Sequence, residues 1–278
     1  MTKKKIPFGQ IISYLIILIM LVMVLYPIFL MLVKSFKDAS QELHDPLSIT
    51  FPLYFNNYQF AWAYVKDLIV NTIIISLAIT LGSVLICSVT AYGFVRFEFP
   101  LKNFLFMMIL ALMMVPGVLT LIPSYSLINT FGLVDNRLGV IIPGIVGSIP
   151  FGTFLLKTFF SGLPKDLFEA AELDGAPQFL QYIYVAIPLS LPILFTHGIN
   201  QFMGAWNDLI WPTLILTRSE LQTISVGLVP FTDDYVTKVG SMGVPIAGYV
   251  IVSLPLVIIF AFTSKQFVKG LTSGAFKM

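Results

Sequence analysis

From Glu169 to Pro188 the chain reads EAAELDGAPQFLQYIYVAIP, an acidic insert containing Ala and Gly that feeds directly into an apolar run. Counted from Asp166, the insert carries four of the fourteen acidic residues of the chain: Asp166, Glu169, Glu172 and Asp174. Its local signals are those of a helix. Pro164 stands at the start, Asp166 and Glu169 sit where the helix dipole favours anions, Ala170 and Ala171 fill the middle, and Gly175 and Pro177 stop it. About three turns result, roughly 16 Å long. A helix this short is marginal alone in water and needs a surface to hold it. Leu167, Ala170, Ala171 and Asp174 share one face at i, i+3, i+4 and i+7, and the two alanines let another surface come close. Two readings fit these residues: a docking helix seated in a groove, and a solvated amphipathic loop of helix-friendly composition. After Pro177 a second helical stretch is predicted to run straight into the apolar segment.

Outward from this insert the chain is greasy. Of its 278 residues, 57% are hydrophobic and 11% charged, against roughly 45–50% and about 25% in an ordinary soluble protein. Six apolar runs, roughly 11–33, 68–95, 104–125, 138–156, 186–216 and 244–264, are each about long enough to cross a hydrocarbon core ~30 Å thick. An all-α, polytopic membrane protein of six transmembrane helices with a helix outside the membrane is the predicted fold. The run from Ile11 to Val33 exceeds the apolar core of a cleaved leader, about 7–15 residues, and reads as a retained span. The fourth run is short, and Pro188 and Pro192 are expected to interrupt the fifth.

Six spans put both ends on one side. Ten basic residues fall on that side (Lys3, Lys4, Lys5, Arg96, Lys102, Lys157, Lys165, Lys265, Lys269, Lys277) and six on the other, which places both termini and the acidic insert in the cytoplasm. The chain then divides into a tail at 1–10, a first span at 11–33, an extracytoplasmic loop at 34–67, a core at 68–264 with the acidic helix at about 164–175, and a cytoplasmic tail at 265–278.

The pattern from Glu169 resembles the cytoplasmic EAA loop of permease subunits in binding-protein-dependent ABC importers: Glu169-Ala170-Ala171, Gly175, then Val185, Ile187 and Pro188, where the family more often shows Ile and Leu. MVPGVLTLIPSY, PFGTFLLKTFFSGLPKDLFEAAELDGA, AWNDLIWPTLIL and QFVKGLTSGAFKM extend the likeness over about 68–278 plus the first span, towards the carbohydrate-uptake branch and its maltose-type second permease. The resemblance implies that Glu169, Ala170, Ala171, Asp174 and Gly175 couple the chain to an ATPase. It also implies four kinds of partner: a second homologous permease subunit, two copies of an ATP-binding subunit, an extracytoplasmic solute-binding protein and a sugar substrate, all at the cytoplasmic membrane. An ABC permease for another solute, such as a phosphorylated polyol, is the alternative, and an ion-coupled carrier is a further one.

Composition narrows the chemistry. A net charge of +2 implies no nucleic acid, one cysteine (Cys87) and two distant histidines (His44, His197) imply no metal site, and no cofactor is called for. No Gly-Lys pair is found, so the phosphate-cradling G-x-x-x-x-G-K-[ST] is missing and ATP hydrolysis belongs on another chain. Coupled carriers normally place ionisable groups within their spans, whereas here there are almost none, His197 and Asp208 being the exceptions. Polar residues concentrate in THGINQFMGAWNDLIW, from Thr196 to Trp211. Asn200, Gly204 and Asn207 form a stripe, with His197 near it, that reads as pathway lining; helix packing for the amides and interfacial anchoring for Trp206 and Trp211 fit as well. Prolines within the spans, at Pro116, Pro143, Pro150, Pro188, Pro192 and Pro255, are candidate hinges.

Overall fold

The computed structural model describes the backbone of residues 8–275 and the side chains of residues 9–262 other than Val239. The basic cluster Lys3–Lys5 and Lys277 lie outside the described residues, as do the side chains of Lys265 and Lys269. Among the described residues the fold is all α: α1 (Phe8–Ser35), α2 (Ala39–His44), α3 (Asn56–Arg96), α4 (Lys102–Leu112), α5 (Gly117–Thr130), α6 (Leu138–Phe160), α7 (Lys165–Leu173), α8 (Gln178–Gln181), α9 (Ile187–Asn207), α10 (Ile210–Ile215), α11 (Ile224–Val239) and α12 (Gly243–Ala275). A π-helical turn, Tyr182–Ala186, joins α8 to α9, and a 3-10 turn, Ser219–Leu221, precedes α11. Five stretches are long and apolar enough to cross a membrane: Gly9–Ser35, Asn56–Arg96, Leu138–Phe160, Gln178–Asn207 and Gly243–Phe262. The bent pair α4 and α5 brings the number to six if it is one span.

Three departures from the sequence reading have local causes. The third run is not one straight helix, because α4 and α5 meet at 97°. Pro116 has no N–H to donate and disfavours helical geometry at Val115; Met113, Met114 and Val115 turn back onto the carbonyls three residues earlier, and the chain restarts at Gly117. In the fifth run the expected interruption is misplaced. Helix continues from Gln178 to Asn207 across Pro188 and Pro192, the π turn closing with a bond from the Ile187 N–H to the Tyr182 carbonyl. The break falls instead at Asp208, whose backbone is extended. Pro212 accounts for it, since a proline four residues on can neither bond that carbonyl nor avoid its oxygen. Lastly, the stretch 34–67 is not all loop: it contains α2, and α3 begins at Asn56. The helix of the sixth run likewise continues past 264 to Ala275.

The chain clusters into two compact units, Met1–Lys66 with Leu228–Leu254, and Asp67–Gly227 with Pro255–Met278. In the first, residues 9–29 of α1 are exposed, and the helix is fastened only at its C-terminal end. There Ser35 Oγ shares a hydrogen bond with Tyr58 Oη at 2.7 Å, and the Asn57 amide donates to the Ser35 and Lys37 carbonyls at 2.9 Å each. Gly243 packs so closely on the Lys37 carbonyl that a Cβ would stand 2.2 Å from it. Asp38 caps α2 through the Gln41 N–H.

The second unit holds the regions of functional interest. One apolar cluster (Ile75, Ile79, Ile128, Val140, Ile215, Leu216) joins α3, α5, α6 and α10. Another (Cys87, Ala91, Tyr92, Leu156, Phe160, Phe168, Tyr182, Ala186, Leu194) joins the C-terminal part of α3 to α6, α7, the π turn and α9. Between them runs a buried polar seam: Ser148 Oγ donates to Ser83 Oγ at 2.6 Å, and Ser83 Oγ meets His197 Nε2 at 2.9 Å. Gly152 makes room for it, since a Cβ there would lie 2.5 Å from Cys87 Sγ and 2.6 Å from the His197 ring.

Candidate functional site

The acidic insert folds as α7, Lys165–Leu173, with Pro164 in extended geometry before it and Asp174 as C-cap. Gly175 takes φ +77, the left-handed ending that glycine adopts without strain. Its N–H bonds the Glu172 carbonyl, and the next N–H, of Ala176, reaches back to the Ala171 carbonyl, closing the helix end.

One side of α7 is fixed and the other is free. Phe168 is buried in the cluster shared by α3, α6 and α9, and the Arg96 guanidinium lies 4.3 Å from its ring centroid. Arg96 also donates to Glu172 Oε1 at 3.1 Å and to Gln181 Oε1 at 3.4 Å. Glu172 Oε1 accepts in addition from the Gln178 amide at 3.2 Å, and Tyr92 Oη donates to Gln178 Oε1 at 2.9 Å. Gln181, itself buried, donates to the Ala176 carbonyl at 2.9 Å. Away from this base, Asp166, Leu167, Glu169, Ala170, Leu173, Asp174 and Gly175 are exposed, and Ala171 is half-buried. Leu173 is 90% exposed, unusual for a leucine with a core beside it. Of the five motif residues, Glu169, Ala170, Asp174 and Gly175 are thus exposed and Ala171 half-buried, all on or beside one short helix.

Reading the motif alone missed Phe168, Arg96 and Glu172, which hold that surface in place. Phe168 carried a signal, as the one aromatic inside a short acidic helix. Arg96 carried only its position at the end of an apolar run.

Asn200, Gly204 and Asn207 lie within about 60° of one another around α9, and all three are exposed. An added Cβ at Gly204 would meet nothing within 4 Å. The Asn207 amide donates to the Met203 carbonyl at 2.8 Å, which leaves its oxygen to face outward. His197 is not part of this stripe: it is fully buried, bonded to Ser83. Asp208 and Trp211 turn away too, into a cavity of about 540 Å3 opened by the α4–α5 bend and lined also by Thr120 and Ser124. The Trp211 indole N–H donates to the Gly139 carbonyl at 3.0 Å. Asn200, Gly204 and Asn207 do not line that cavity.

Beyond α10, the turn before α6 is clasped to the segment that follows. Asp135, at φ +54, accepts from the N–H groups of Thr217 and Arg218 and from the Thr217 hydroxyl at 2.7–3.0 Å. These bonds, the Arg218 N–H foremost, hold its carboxyl below the ordinary aspartate range. Arg137 donates to Asn71 Oδ1 at 2.6 Å, and the Asn71 amide in turn donates to the Glu220 and Gln222 carbonyls.

Residues 82–273 match the family described as binding-protein-dependent transport system inner membrane component. The chain belongs to this family. It is a membrane-spanning permease subunit, and the matched segment contains α7, its base and the α9 stripe. Among similar proteins, the arabinooligosaccharides transport system permease protein AraQ of Bacillus subtilis (strain 168) is 32% identical over 260 residues, covering 91% of this chain and 90% of that protein. A probable ABC transporter permease protein, YurM, of the same organism is 30% identical over 270 residues, covering 97% of this chain and 89% of that one. A solved chain from a bacterial ABC transporter involved in importing the acidic polysaccharide alginate superposes with a TM-score of 0.82 at 21% identity, over 96% of this chain and 99% of that chain, and so shares the fold.

Proposed function

We propose that this permease is one half of the translocation pathway of an ATP-driven importer for a sugar or oligosaccharide, and that α7 is its contact with a separate ATPase. The observation that carries the reading is the two-sidedness of α7. Its inner face sets Phe168 into the apolar cluster under the Arg96 guanidinium, while Asp166, Glu169, Asp174, the small Ala170 and the bare Leu173 are exposed. A short helix with so much exposed surface is best explained by a partner that covers it. Helix runs on from Gln178 to Asn207, and across the non-helical 174–177 the Gln178 amide ties to Glu172 and the Gln181 amide to the Ala176 carbonyl, so a push on α7 reaches the α9 stripe. Asn200, Gly204 and Asn207 then line the path, offering amide groups to sugar hydroxyls. The partners are a similar but non-identical permease, two ATP-binding subunits and an external binding protein, with both termini of this chain in the cytoplasm. The neutral character of the substrate is supported by the scarcity of Lys and Arg in the spans and by the oligosaccharide named for AraQ.

Cross-linking tests this reading. A cysteine at Glu169 should form a disulfide with cysteines in the ATPase groove, and Glu169→Lys should abolish sugar uptake while the protein stays in the membrane at normal abundance. Normal uptake by Glu169→Lys would end the docking assignment.

A further inference from the structure

The contacts beneath α7 do more than support it. Arg96 is the last residue of α3, and Tyr92 lies one turn earlier on the same face. Phe168 and Glu172, likewise four apart, are the residues of α7 that meet α3, Phe168 buried and the Glu172 side chain 51% exposed at the rim. The two faces meet rung by rung: the Arg96 guanidinium covers Phe168 and pairs with Glu172, and Tyr92 bonds Gln178 just beyond. Arg96 is only 19% exposed, and its Nε is buried. The loop to α6 and the helix into α9 tie α7 to its neighbours by chain continuity. To α3, 76 residues away in sequence at the Arg96–Glu172 pair, side chains alone make the tie.

We infer that Arg96 is a positioning residue that locks the end of α3 to α7, so that a displacement of α7 carries α3 with it. This rests on α7 being the ATPase contact. The acids of the insert then have separate roles, Glu172 working inside the chain against Arg96 while Asp166, Glu169 and Asp174 face outward. The lock also sets the chemistry required. A planar cation is needed, since one group must stack on an aromatic ring and pair with a carboxylate and an amide at once, and lysine, a compact ammonium, supplies only the charge. The lock further reaches the Ser83–Ser148–His197 seam: α3 and α9 are both attached to α7 at their cytoplasmic ends and joined to each other by Ser83 and His197 deeper in the bundle.

The test uses the complete transporter in proteoliposomes and reads sugar imported per ATP hydrolysed. Arg96→Glu and Glu172→Arg should each lower that ratio by about tenfold, the size of a strong pairwise coupling, and the two together should recover most of it. Arg96→Lys should fall between. A double variant no better than the singles would overturn the inference, as would an Arg96→Lys variant indistinguishable from wild type. A second measurement does not depend on the charge-reversed chain folding. Spin labels at Gly93→Cys, where an added Cβ meets nothing within 4 Å, and at the exposed first residue of α7, Lys165→Cys, in a Cys87→Ala background, report the distance from α3 to α7. That distance should be the same without nucleotide and with the ATPase trapped closed, and should differ between the two states once Glu172→Gln is added. A change between states in the otherwise native chain would show that α3 and α7 move apart, and the inference would fall. Failure of the docking reading looks different: Glu169→Cys would not cross-link to the ATPase whatever the spin labels show.

Discussion

The acidic helix and the polar stripe on α9 are both exposed and both rich in groups that bind, yet they are built in opposite ways. Behind α7 stands a complete foundation: a buried aromatic, a guanidinium stacked on it, and the five side-chain hydrogen bonds described above. Asn200, Gly204 and Asn207 face open space, with one bond from Asn207 to its own helix. A surface that transmits force has to be held still, whereas one along which a solute slides gains from groups that are placed but left unpaired. Damage to the first should therefore be structural and large. Damage to the second should be chemical and small in stability.

The sharpest way to break that contrast is Phe168→Ala. Removing a buried aromatic typically costs about 3–5 kcal/mol, and here the loss should appear locally, as rapid proteolysis between α6 and α9 and as lost uptake. Little change in either would mean that α7 is held from outside the chain. Next in size is Gly175→Val. A β-branched residue at φ +77 is strained by roughly 1–2 kcal/mol or more, so uptake should drop markedly while Gly175→Asn, which tolerates that geometry, retains most of it. Equal activity of the two variants would show that the left-handed ending is dispensable.

On the stripe, Asn200→Ala and Asn207→Ala should shift thermal stability by no more than about 0.5 kcal/mol, as surface changes do. Cysteines at Asn200, Gly204 and Asn207 should react with small water-soluble thiol reagents, and one at the fully buried Ile215 should not. A silent stripe would transfer the pathway to the α4–α5 cavity or to the partner permease. The smallest effect concerns the Asp135 clasp. Its carboxyl is held below its ordinary value, so the stability it contributes is fully present above the unfolded-state pKa and is lost as pH falls through the lower folded-state one. The difference in melting midpoint between the native chain and Asp135→Asn should accordingly be modest near neutrality and vanish in acid. A constant difference would assign the effect to hydrogen-bond geometry alone.

How much of this could be read from the residues depends on range. The ends of α7 were legible because Pro164, the early acids and Gly175 act within a few positions of themselves, and the apolar runs were legible because hydropathy is additive along the chain. The 97° bend was not, since averaging over a window hides one proline within an apolar stretch. The start of α3 at Asn56 was hidden by the mixed polarity of 56–67. His197 was placed near the stripe because it lies seven residues from Gly204 and so points nearly the same way from the helix. What differs is depth: at His197 the walls of α3 and α6 close in, with Ser83 bonded and Gly152 in contact, whereas at Gly204 nothing does. Arg96 and Phe168 met only in three dimensions, and no local pattern pairs them.

The π turn between α8 and α9 sets an angular phase. Five residues there take a wider turn than the α-helix on either side, and every side chain beyond Ala186 is consequently rotated relative to α8. If all five residues of the turn relaxed to ordinary helix with none removed, the rest of α9 would swing by about one residue's rotation, roughly 100°. His197 would leave Ser83, and the stripe would no longer face where it does. The dial that aims Asn200, Gly204 and Asn207 thus stands outside the stripe itself, in the turn that joins α8 to α9.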